Sequence, residues 1–113
     1  MFSSIEDAVL QIEEIYQDYQ FIISYEIEEK TVSILKAKII FNENLFIQVY
    51  LNSRKPKISF ALVLNDIRLY GRDFLWGEWH RHPFNSLGIH DRSPEGAKEV
   101  HLKGFFLEVL HIY

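Results

Sequence analysis

Three of the five histidines, His80, His82 and His90, share the stretch GEWHRHPFNSLGIHD with Glu78, Arg81 and Asp91. Histidine ordinarily titrates near neutral pH, so two placed together can serve as a base and an acid. Metal-independent RNA cleavage needs that pair. The base takes the proton of the 2′-hydroxyl, and the acid protonates the leaving 5′-oxygen. A cation must also meet the charge that develops on phosphate, which arginine does through its bidentate fork. Arg68, Arg72 and Arg81 are the candidates, and aromatic groups such as Trp79 and Phe84 could stack an unpaired base. On this reading His80 and His82 are acid and base in an order left open. His90 and Asp91 support them, and no metal or cofactor is required.

Two other readings use the same residues. Histidine-x-histidine on a strand puts both side chains on one face. That makes a half-site for zinc or iron, which His90 or Asp91 could complete. Alternatively the loop is scaffolding, with His82 and Trp79 tying it to a sheet and Asp91 orienting His90. The protein would then be a non-enzymatic interaction domain. His101 and His111 flank an apolar stripe and read as structural or surface residues.

Helices and strands must position these groups. Ser3-Ser4-Ile5-Glu6 reads as a capping box. Ile5, Ala8, Val9, Ile12, Ile15, Tyr16 and Tyr19 then recur at helical steps. From Phe21 the period becomes two. Phe21, Ile23, Tyr25 and Ile27 form the first strand, which ends in a turn at Glu28-Glu29-Lys30. Residues 31–41 form a second, with Lys36 and Lys38 opposite Leu35, Ala37 and Ile39. Leu45, Ile47, Val49 and Leu51 mark a third, and Ile58, Phe60, Leu62 and Leu64 a fourth. Asn65-Asp66 suits a two-residue hairpin turn. On a fifth strand, Arg68, Tyr70 and Arg72 share one face. Short turns between strands require an antiparallel meander. Leu102, Phe105, Phe106, Val109 and Leu110 mark a C-terminal helix. The expected architecture is a single α+β domain over residues 1–113: N-terminal helix, five-stranded antiparallel meander, histidine-rich loop, C-terminal helix. Within the loop, Ser93-Pro94 suits a helix start.

Hydrophobic residues make up 48% of the 113, enough for one packed core. The longest apolar run is far too short to span a bilayer, and the acidic N-terminus does not resemble a secretory signal. The chain lacks cysteine, which excludes disulfides and thiolate chemistry. These features lead to the expectation of a cytoplasmic protein. Residues 1–30 hold eight acids and one base, whereas residues 54–113 hold nine bases, seven acids and every histidine. An anion would therefore meet one side of the molecule more favourably than the other. An exposed sheet edge would also allow a homodimer.

The order of short amphipathic helix, antiparallel meander, late histidine–proline cluster and C-terminal helix resembles the TumE-type toxins of toxin–antitoxin modules. That family carries an aspartate after the last strand, then a His-His-Pro element and a second histidine group. The corresponding residues here are Arg72-Asp73, His80-Arg81-His82-Pro83 and His90. The first element is His-Arg-His in place of adjacent histidines, and the second is a single histidine. The resemblance implies a prokaryotic cytoplasmic protein, an antitoxin partner, an attack on RNA, and a supporting role for Asp73.

Overall fold

The computed structural model describes residues 4–84 and 90–112. Helix α1 (Ile5–Asp18) starts at Ser4, whose Oγ accepts from the Asp7 amide at 3.0 Å. The cap thus falls one position after the expected Ser3–Glu6 box, and Ser3 lies outside the described residues. Ile5, Ala8, Ile12 and Ile15 form the buried stripe of α1. Helix α2 (Leu102–Ile112) buries Leu102, Phe105, Phe106 and Val109, while Leu110 stays exposed. Gln11 joins the two helices. Its Nε2 donates to Asp7 Oδ2 at 2.8 Å, and its Oε1 accepts from the Lys103 amide at 3.1 Å. That bond satisfies one of the orphan amides of the first turn of α2.

Between the helices runs an antiparallel sheet in simple sequence order: β1 (Ser24–Lys30), β2 (Ile34–Asn42), β3 (Leu45–Asn52), β4 (Lys57–Leu64), β5 (Ile67–Leu75) and β6 (Glu78–His82). The architecture is α+β, as the sequence pattern requires, with a sixth strand added to the expected five. Leu35, Ala37, Ile39, Leu45, Ile47, Val49, Leu51, Ile58, Phe60 and Leu62 line one face and are all buried. Both helices contribute to the same core, in which Phe105 meets Phe60 and Tyr70 at ring distances of 5.6 Å. Lys36, Lys38, Ser59 and Asp73 alternate onto the opposite face.

The turns account for the departures from expectation. The first reversal falls at Thr31-Val32-Ser33, after β1 has continued through Lys30. Thr31 Oγ1 accepts there from the amides of Ser33 and Ile34. Asn65 and Asp66 form the expected tight turn, with φ of 49° and 65°. Trp76 and Gly77 form another, with φ of 58° and 77°. This left-handed pair matches strand twist and sends the chain straight back as β6. The histidine-x-histidine pair therefore lies on a strand and not in a loop. Instead of a helix after Ser93, one turn closes with the Ala97 amide donating to the Ser93 carbonyl at 2.8 Å.

Candidate functional site

Register builds the site. Asp73 of β5 stands directly opposite His80 of β6, and Gly71 opposite His82. Paired residues share a face, so Asp73, His80 and His82 converge on the side of the sheet away from the helices. Asp91 then makes a single antiparallel bridge to Arg81, each amide donating to the other's carbonyl. Its neighbour His90 consequently falls on the histidine face. The His90 ring lies 4.6 Å from that of His82 and 5.1 Å from that of His80, and the His80 and His82 rings are 5.1 Å apart.

Asp73 is the centre of the group. Its Oδ2 lies 3.1 Å from His82 Nε2 and 3.7 Å from His80 Nε2, while its Oδ1 accepts from Arg68 Nη2 at 2.8 Å. Burial works to raise the Asp73 carboxyl. Hydrogen bonds from Arg68 and Ser59, with the charges of Arg68 and His82, outweigh it and hold the carboxyl below its ordinary value. His80 is held low by burial against the pull of Asp73. His82 is held low by burial first and the Arg68 guanidinium second, again against Asp73. Both rings are therefore neutral at pH 7. His80 is buried, His82 half-buried and His90 exposed, so the group opens to solvent at His90.

Arg68 reaches this face through a bulge. The β4–β5 register slips between Leu62 and Val63, so that Tyr70 pairs with Leu62 but Arg68 with Val63. Leu69 is the extra residue, and it reverses the alternation beyond it. Arg68, Tyr70 and Arg72 therefore do not share a face, contrary to simple alternation. The Arg68 guanidinium lies over Gly71, in the space a Cβ would fill. Its Nε is buried, with no hydrogen-bond partner among the described residues.

The remaining sequence candidates lie on the helix side. Arg72 is 1% exposed; its Nε donates to Glu108 Oε1 at 2.8 Å and its Nη1 to the Glu95 carbonyl at 2.9 Å. Tyr70 donates to the same Glu108 oxygen at 2.6 Å; burial, with Glu108 second, pushes its hydroxyl up to about 12. Arg81 grips Asp91 through Nε and Nη2. Asp91 therefore does not orient His90: the bridge turns its carboxylate toward Arg81, and the Ser93 amide takes its other oxygen. Trp79 is buried against Phe60 and Phe74, so it fills the core instead of presenting a face for a base. Ser59, which the sequence reading did not single out, supports Asp73. Its place opposite Phe60 in the alternation of β4 was the available signal.

The helix side also carries an open groove of about 1110 Å³ between α1, α2 and the 95–101 segment. Its charges largely pair among themselves, Lys103 with Glu14 and Lys98 with Glu95. The groove does not include the clustered histidines. No family model, curated protein or solved structure matches the chain.

Proposed function

We propose that the histidine face is a metal-independent acid–base site that cleaves RNA. The observation carrying this reading is the oriented pair Asp73–His82, Oδ2 to Nε2 at 3.1 Å, with His90 against it and Arg68 beside it. A neutral His82 that donates Nε2–H to Asp73 keeps its lone pair on Nδ1. That nitrogen takes the 2′-hydroxyl proton. The 2′-oxygen attacks phosphorus, and the P–O5′ bond breaks. His90, at the open end, delivers a proton to the departing 5′-oxygen. The products are a 2′,3′-cyclic phosphate and a 5′-hydroxyl. Arg68 meets the phosphate charge, and buried His80 positions the other rings. Arg72, Arg81 and Trp79 have no direct part. The resemblance to TumE-type toxins extends the proposal to a prokaryotic cytoplasmic toxin with an antitoxin partner.

Single-stranded RNA incubated with tag-free protein in EDTA tests the chemistry. Cleavage is expected to leave cyclic-phosphate ends and to fall by about 10²–10⁴-fold in His82→Ala, the contribution typical of acid–base groups. Undiminished cleavage by His82→Ala, or none by the wild type, overturns the reading.

A further inference from the structure

We propose that Asp73, His80, His82 and His90 also bind one divalent transition-metal ion of the zinc or cobalt class, and that its binding silences the acid–base chemistry. The silencing rests on the function proposed above; the binding does not.

The donor atoms converge as such an ion requires. The nearest ligand atoms of Asp73, His80 and His82 all lie within 4.8 Å of one another. Zinc–nitrogen and zinc–oxygen bonds of about 2.0–2.2 Å at tetrahedral angles separate neighbouring ligand atoms by about 3.4 Å. The two observed edges from Asp73 Oδ2, 3.1 Å to His82 Nε2 and 3.7 Å to His80 Nε2, bracket that value. One carboxylate and two imidazoles suit a borderline-soft ion better than magnesium or calcium, which favour oxygen. His90 supplies an imidazole at the open end, its ring 4.6 Å from that of His82.

The supports of the cluster are those of a metal centre. Arg68 occupies Oδ1 of Asp73, leaving Oδ2 to face the histidines. Outer-shell bonds of this kind fix a ligand's orientation. His80 and His82 are held on one face by the strand, so two of the ligands need little rearrangement. An ion bound at His82 Nε2 displaces the His82–Asp73 hydrogen bond and shifts the ring proton to Nδ1, so Nδ1 no longer has a lone pair to accept the 2′-hydroxyl proton. His90 must be unprotonated to bind the ion, so it no longer holds an acid proton for the departing 5′-oxygen.

Cobalt(II) titrated into tag-free, chelator-stripped protein tests the site. One equivalent is expected to develop the visible absorption of a tetrahedral nitrogen–oxygen centre. Binding is expected to weaken at least tenfold in His82→Ala and in Asp73→Asn, with folding of each variant checked by circular dichroism. Absence of that absorption in the wild type, or equal binding by both folded variants, overturns the site. In parallel, one equivalent of zinc is expected to abolish RNA cleavage and EDTA to restore it. Cleavage that zinc leaves unchanged or stimulates overturns the silencing. Absence of cleavage in every sample overturns the silencing together with the proposed activity, and the cobalt spectrum then judges the metal site alone.

Discussion

At the scale of single residues, Gly71 matters because Arg68 needs its missing side chain. A Cβ at Gly71 would overlap the Arg68 guanidinium. Gly71→Ala should therefore push Arg68 away from Asp73 without touching Arg68 itself. The clash meets the flexible end of a side chain, so the melting midpoint should shift little. RNA cleavage should fall by about 10²-fold, the loss expected when one charge-stabilising donor is removed. Cleavage at the wild-type rate would mean that Arg68 does not act on substrate. The neighbours of His82 give a second test. Arg68 lowers the His82 pKa and Asp73 raises it. Arg68→Met should move the acid limb of kcat/KM to higher pH, and Asp73→Asn should move it to lower pH. Profiles measured in EDTA that shift in the same direction for both variants would exclude His82 as the base.

Elements decide which side of the sheet each residue serves. The strands β2 to β4 were legible because strict alternation separates Leu35, Ala37 and Ile39 from Lys36 and Lys38. β6 was not legible, because its turn places a tryptophan, Trp76, in the left-handed region, where bulky residues are rare. The Leu69 bulge was hidden too, since counting by twos cannot register one extra residue, and Arg68 was assigned the face of Arg72. The histidines themselves were visible from composition and spacing. Their gathering around one Asp73 oxygen was not, because it depends on the β5–β6 register. Arg72 proves to be an element-level tie, joining β5 to α2 through Glu108 and to the 95–96 turn through carbonyls. Glu108→Ala leaves a buried guanidinium without its main anion. The expected cost is about 3 kcal/mol, the low end for a broken buried pair, because Glu95 Oε1 remains 3.6 Å from Nη2. Urea unfolding checks this, and a loss below about 1 kcal/mol would show that the tie is weak.

For the whole molecule, the sheet is a partition. One face buries the apolar core under two helices, and the other carries the buried or half-buried titratable groups Asp73, His80 and His82. That arrangement has a consequence for stability. His80 and His82 have folded pKa values below the ordinary 6.5. The unfolded chain therefore binds protons at these residues more readily than the folded one. Their effect on stability is absent above about pH 6.5, where both states are neutral. As pH falls from there through the lowered folded values, each proton taken up favours unfolding. Asp73, held below its ordinary value, should cost stability only at lower pH still. The wild type should thus lose melting temperature on going from pH 7 to pH 5, before its carboxylates titrate. A His80→Asn/His82→Asn variant should show a shallower slope over that interval, whatever its midpoint at pH 7. Equal slopes would mean that the histidine face is hydrated enough to titrate alike in both states, so that burial does not hold His80 and His82 below their ordinary value.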